Sequence, residues 1–195
     1  MDTQRARPGR PPATAAAPDT RLALLEATIR VVGRGGLRSL TYRAVAAEAG
    51  LTHGMVSHHF GSRDALIEAA LKHALEVTAD VLYSEITEGD SVETFLDRLT
   101  DIVARDPDMQ VFQYELMFES RRNPALAPQA RMLYDTVLSA TRDALVKVGV
   151  ATDDSLTLLV YAALDGLMMQ QLIMGNAEAS NNSLARLRQM LAKER

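Results

Sequence analysis

Apolar positions recur three and four residues apart along most of this chain and never alternate with polar ones over a strand's length. That pattern predicts an all-α protein. A first helix is expected after Asp19 and to about Gly33, with Leu22, Leu25, Ile29 and Val32 on one face and Gly33, Gly35 and Gly36 ending it. Leu37 and Leu40 are expected to pack beneath the short helices that come next. A fourth helix is expected from Ser62 to about Glu88, with the stripe Leu66, Ala70, His73, Val77 and Val81 and a stop at Gly89-Asp90. Val92, Phe95, Leu96, Leu99, Ile102 and Val103 form a further apolar face that ends near Asp106-Pro107. Beyond it come helices over Asp108 to Ser120 and Ala127 to Val148, then a strongly apolar one from Asp153-Asp154 through Met174, whose acidic start suits the helix dipole. A last helix, about Ser183 to Lys193, carries Leu184, Leu187 and Leu191.

Between the first and fourth helices lies the segment richest in information, TYRAVAAEAGLTHGMVSHHFGSRDAL, Thr41 to Leu66. Thr41 can cap a short helix with Val45 and Ala46 facing inward, and Gly50 supplies the backbone freedom of a tight turn before Leu51 returns to the core. Thr52 offers a hydroxyl cap to a second short helix, His53 to about Phe60, and Gly61 ends it. The small residues Ala44, Ala46, Ala47, Ala49 and Gly50 let two helices cross closely, which is the geometry that lays the second in a major groove.

The whole string resembles the DNA-binding core of the tetracycline-repressor (TetR) family of one-component regulators, and VSHHFGSRDAL resembles its BetI-type members in particular. The resemblance implies about nine helices. Residues 19–65 would form a helix-turn-helix DNA-binding domain and 66–195 an effector-binding and dimerisation domain. It also implies contacts. Arg43 would reach a base edge and Thr41 and Tyr42 the DNA backbone, while Thr52, His53, Gly54 and Met55 would enter the groove, Gly54 allowing close approach and Met55 meeting a thymine methyl. Ser57 stands where most members carry a phosphate-binding tyrosine, a departure that BetI-type members share. His59 and Arg63 match phosphate-facing positions, and His58 would reach a base or a phosphate.

Charge sharpens that division. The chain of 195 residues has a net charge of -4, yet residues 1–63 hold nine arginines against four acids, net +5, leaving an acidic remainder. A basic head on an acidic body suits a protein that grips phosphates at one end. Residues 1–18 are rich in proline and small residues and are expected to be a disordered arm. Within it Arg7 to Pro12 resembles a minor-groove arm in which Arg7 and Arg10 enter A·T-rich DNA, although Pro8 breaks the usual order; an inert tail is the alternative.

Chemistry of other kinds finds little support. There is no cysteine, which excludes disulfides, thiol redox sensing and cysteine-bound zinc. Histidines at 53, 58, 59 and 73 lack metal-ligand spacing, so neither metal nor cofactor is expected, and His73 is read as a core histidine. No catalytic triad, phosphate-cradling loop or paired-carboxylate motif is legible, so an enzyme is the weaker rival, and a helical DNA-coating protein without an effector pocket is another. No apolar run approaches the roughly 18 residues of a membrane span and no signal core is present, which predicts a cytoplasmic protein without membrane contact.

The second half is rich in adaptable side chains. Met109, Phe112, Met117, Phe118, Met132, Tyr161 and Met168 are the candidate lining of a small-molecule pocket, with ordinary bundle packing as the alternative and Glu115, Glu119 and Asp165 as possible polar anchors. Reading a palindromic operator in double-stranded DNA needs two heads, hence a homodimer. The family pairs its last two long helices. Here that face would comprise Leu159, Ala162, Gly166, Met169 and Ile173, with Leu187 and Leu191.

Overall fold

The computed structural model describes residues 19–85, 90–94, 96–97, 105–175 and 177–194. The arm with Arg7 and Arg10 lies outside them, as do Phe95, Leu99, Ile102 and Val103. Among the described residues the fold is helical throughout, with no strand. Helix α1 is Thr20–Gly35, α2 Tyr42–Glu48, α3 His53–Phe60, α4 Arg63–Glu85, α5 Pro107–Ser120, α6 Ala127–Lys147, α7 Asp154–Met174 and α8 Ala177–Leu191. Short 3-10 turns occupy Leu37–Ser39 and Pro124–Leu126, and 92–94 is helical as well.

Local chemistry explains most of the boundaries. The Asp19 carboxylate accepts from the Arg21 amide at 2.9 Å and opens α1, while Asp106 and Asp153 do the same for α5 and α7. Helix α1 runs past Gly33 and stops only at Gly36, whose φ of 69° a side chain would resist. Helix α8 begins six residues before the expected Ser183, because Gly175 turns the chain back at the end of α7 and the next helix restarts at once.

Two apolar clusters hold the molecule together. The first joins α1 (Leu24, Leu25, Ile29, Val32) to Val45, Val56 and Phe60 of the short helices, to Leu66, Ile67 and Leu71 of α4, and to Phe112 and Leu116 of α5. It crosses the boundary expected at residue 65, so head and body share one core. Leu22, assigned to the apolar face of α1, is 39% exposed, and Leu24 is buried in its place. The second cluster packs Ala144, Leu145 and Val148 of α6 against Val160 and Leu164 of α7 and Leu184 and Leu191 of α8.

Helix α7 corrects one expectation. Its 21 residues are long and apolar enough, at mean hydropathy 1.4, to cross a membrane by length and composition. Thr157, Val160 and Leu164 nevertheless sit in the core, as in the central helix of a bundle. Leu156 and Leu167 pack half-buried beside them against the second cluster, and Leu159, Ile173 and Met174 are exposed.

Candidate nucleic-acid interface and ligand cavity

The head is built to present α3. Thr41 accepts from the Ala44 amide at 3.1 Å, opening α2, and Val45 and Ala46 are buried beneath it. Gly50 takes φ 66° in the turn, and the Leu51 amide donates to the Ala46 carbonyl at 2.8 Å, closing it. Val56 and Phe60 then anchor α3 from below, one turn apart. Its other face, with Thr52, His53, Gly54, Met55, His58 and His59, is exposed, and Ser57 is half-buried.

Several of these side chains are held ready rather than used internally. Thr52 precedes α3 but makes no side-chain capping bond, contrary to the expectation, so its hydroxyl stays outward. Arg43 is exposed and makes no ion pair among the described residues, whereas Arg30 binds Glu48 at 2.6 Å and Arg34 binds Asp108 at 2.8 Å. The same Arg30 contact holds the Glu48 carboxyl below the usual carboxylate range. A Cβ at Gly54 would meet nothing closer than the Thr52 hydroxyl at 4.0 Å. Nothing inside the protein therefore calls for glycine on this helix, where it costs about 1 kcal/mol relative to alanine. The space it keeps open lies outside.

Two assigned contacts sit differently. Tyr42 packs against the first core cluster, its ring 5.7 Å from that of His53 and its hydroxyl buried without a partner among the described residues. The Arg63 guanidinium donates to the Leu37 carbonyl at 2.8 Å and to that of Leu40 at 3.4 Å, tying α4 to the turn before α2. His73 is half-buried beside Lys72 and Glu76 along a shallow groove rather than set in the core.

The body encloses a cavity of about 200 Å³ between α4, α5, α6 and α7. Met109, Met117, Tyr161 and Met168 line it together, joined by Val77, Val81, Val137 and Leu164. Phe112 does not, because it points the other way into the head's core and is fully buried. Phe118 and Met132 are 57% and 56% exposed on outward faces of α5 and α6. The polar lining was harder to foresee. Gln113 is buried and donates to the Thr78 hydroxyl at 2.6 Å, and the Tyr114 hydroxyl donates to the Asp165 carboxylate at 2.8 Å. Burial pushes the Tyr114 and Tyr161 hydroxyls and the Asp165 carboxyl all upward from their usual ranges.

On α7, Leu159, Ala162, Gly166, Met169 and Ile173 succeed one another at steps of three and four, forming one stripe. Leu159 and Ile173 are 58% and 68% exposed, and a Cβ at Gly166 would meet nothing within 4 Å. Leu191 is fully buried and Leu187 packs beside it against α7. Leu191 therefore faces the chain's own core, while Leu187 stays half-buried at its edge.

A helix-turn-helix head sharing its core with a helical body that holds a cavity defines a one-component regulator. Residues 24–70 match the family model of bacterial regulatory proteins of the tetR family, and residues 90–193 that of the tetracyclin repressor-like C-terminal domain. The chain belongs to the TetR family of transcriptional regulators, a class without enzymatic activity. The HTH-type transcriptional regulator BetI of Burkholderia thailandensis is 42% identical over 55 residues, only 28% of either chain. A TetR-family member from Streptomyces coelicolor A3 superposes with TM-score 0.71 at 29% identity, covering 89% of this chain and 99% of that one. The multidrug binding protein EbrR, complexed with ethidium, gives TM-score 0.66 at 28% identity over 89% and 99% of the two chains.

Proposed function

We propose that the protein is a homodimeric, cytoplasmic repressor that releases a palindromic operator when a small molecule enters the α4–α7 cavity. One observation carries this reading: α5 serves both sites. Its inner face gives the cavity Met109, Tyr114 and Met117. Its start meets the end of α1, where Arg34 pairs with Asp108, and the Glu115 carboxylate accepts from the Leu37 amide at 3.3 Å. A ligand that favours a shifted α5 thereby favours a shifted head, and operator affinity falls by the ratio of its affinities for the two states. Helix α4, running from the head at Arg63 to Val77 and Val81 in the cavity wall, is the second lever. The likeness to a multidrug binding protein solved with ethidium supports a small-molecule effector.

The test is fluorescence anisotropy on DNA from upstream of the protein's own gene, beside scrambled DNA at two salt concentrations. Specific binding that Arg43→Ala weakens by about 1–3 kcal/mol is expected for loss of a bidentate guanine contact. Equal binding to scrambled DNA, lost steeply with salt, would point instead to a DNA-coating protein. Gly54→Ala separates stability from recognition. Thermal melting should show a gain of about 1 kcal/mol, from the better helix former, while operator affinity drops because the added methyl stands between α3 and the groove. Unchanged affinity would remove Gly54 from the interface.

A further inference from the structure

Among the described residues three charged side chains line the cavity: Arg105, Asp106 and Asp165. Asp106 is engaged as the cap of α5, accepting from the Met109 amide at 3.0 Å, and Arg105 is its neighbour of opposite sign. Asp165 stands apart from them on α7. It is half-buried, makes no ion pair among the described residues, and receives one hydrogen bond, from the Tyr114 hydroxyl at 2.8 Å. The same hydroxyl lies 3.2 Å from the Asp165 backbone carbonyl, so a single proton is shared between two acceptors. A carboxylate in an apolar cavity with so little compensation is costly, and such charges are ordinarily paired or bound to a cation.

Its surroundings combine aromatic rings, thioethers and a few neutral polar groups, Thr78, Gln110, Gln113 and Thr141. The Tyr114 and Tyr161 side chains flank Asp165, and the Tyr161 ring is fixed edge-on against that of Tyr134, centroids 5.3 Å apart. Met109, Met117 and Met168 add flexible thioethers to the wall. Aromatic faces attract cations and repel anions, most strongly where water is excluded, and thioethers adapt to irregular apolar shapes.

We propose that the effector is an organic monocation with an apolar body, its charged nitrogen seated at Asp165 between the Tyr114 and Tyr161 rings. This rests on the reading of the cavity as the effector site and specifies its ligand class. Burial pushes the Asp165 carboxyl upward while the Tyr114 hydrogen bond opposes it, so the ionised form gains most when a cation arrives. The methionines and Val137 would hold the apolar part.

The experiment is calorimetric titration of the full chain, without DNA, with benzyltrialkylammonium ions of increasing alkyl length. Each is paired with the neutral hydrocarbon that replaces nitrogen by carbon, and phenylacetate serves as the anion. We expect at least about tenfold tighter binding of cations than of their neutral partners, no binding of the anion, and loss of the preference in Asp165→Asn, which keeps the acceptor for Tyr114. Tyr161→Leu should narrow the preference by several-fold. Equal affinity for charged and neutral partners across the series, or a preference for phenylacetate, would overturn the cation assignment and leave the effector cavity standing. The wild-type comparison decides this even if Asp165→Asn misfolds. Adding a bound cation to the protein–operator complex then tests the underlying reading separately. Cation-selective binding that leaves operator affinity unchanged would keep the ligand class and overturn the effector role.

Discussion

Ala162→Glu is expected to leave a folded chain that sediments as a monomer and binds its operator about 10²–10⁴-fold more weakly. Ala162 lies exposed in the middle of the α7 stripe, between Leu159 at 58% exposure and Gly166. In the proposed homodimer the small side chains there would let a second copy of α7 approach closely, with Leu159, Met169 and Ile173 packed around the crossing. A carboxylate in the centre of such a contact has no partner and loses its water, which costs several kcal/mol per ion, and a twofold axis would set two of them together. The folded monomer should survive, because Ala162 touches neither core cluster. Operator binding suffers because one head holds one half-site, and the second contact is no longer supplied at high effective concentration. Met132→Glu, on an outward face of α6 that is equally exposed, serves as the control and should leave the mass unchanged. A dimer that persists in Ala162→Glu would place the interface elsewhere.

Helix α7 also shows what a sequence reveals and what it withholds. Its existence was plain from the acidic start and the apolar run. Its outward stripe and the cavity residues Tyr161 and Met168 were expected with the help of the family resemblance, and Asp165 only as one of three polar anchors. A mostly apolar helix offers little periodicity from which to tell core from cavity from partner surface. The structure divides it into Thr157 and Val160 inward, Tyr161, Asp165 and Met168 toward the cavity with Leu164 buried between core and cavity, and the Leu159–Ile173 stripe outward. Helix α8 is the reverse case. Its leucine pattern was visible, and within the chain it places Leu184 and Leu191 in the second cluster with Leu187 half-buried against it.

The head was legible almost residue by residue, since its helices are short and each boundary is set by a local cap or turn. Thr41, Gly50 and Gly61 each stand where their chemistry demands. Thr52, which makes no capping bond, is a local exception, and the other involves a tertiary contact. Arg63 was expected at a phosphate-facing position at the start of α4, and its guanidinium also reaches the carbonyls of Leu37 and Leu40, the Leu37 contact spanning 26 residues that no local pattern encodes. Phe112 and Met117 likewise share a helix and an apolar character, and only the position of α1 decides that the first faces the head and the second the cavity.

Gly33→Ala is expected to lower stability by about 1–3 kcal/mol and to uncouple the head from the cavity. Gly33 lies where α1 crosses the start of α5, and a Cβ there would stand 2.4 Å from the Asp108 carbonyl oxygen, 2.7 Å from its Cα and 2.8 Å from its carbonyl carbon. All three are backbone atoms, so no side-chain rotation relieves the clash. Helix α5 must withdraw, stretching the Arg34–Asp108 pair and pulling Glu115 from the Leu37 amide. Such a shift is what a bound effector is proposed to favour, so the variant should bind operator more weakly without ligand and respond less when ligand is added. Thermal melting and anisotropy measured on the same preparation separate the two effects. Arg34→Ala provides a milder version, because that pair is largely exposed on the arginine side and exposed pairs contribute at most about 1 kcal/mol. Its melting temperature should barely move while its effector response falls. A Gly33→Ala protein that melts like the wild type and responds fully to ligand would mean that α5 does not carry the signal, leaving α4 as the lever.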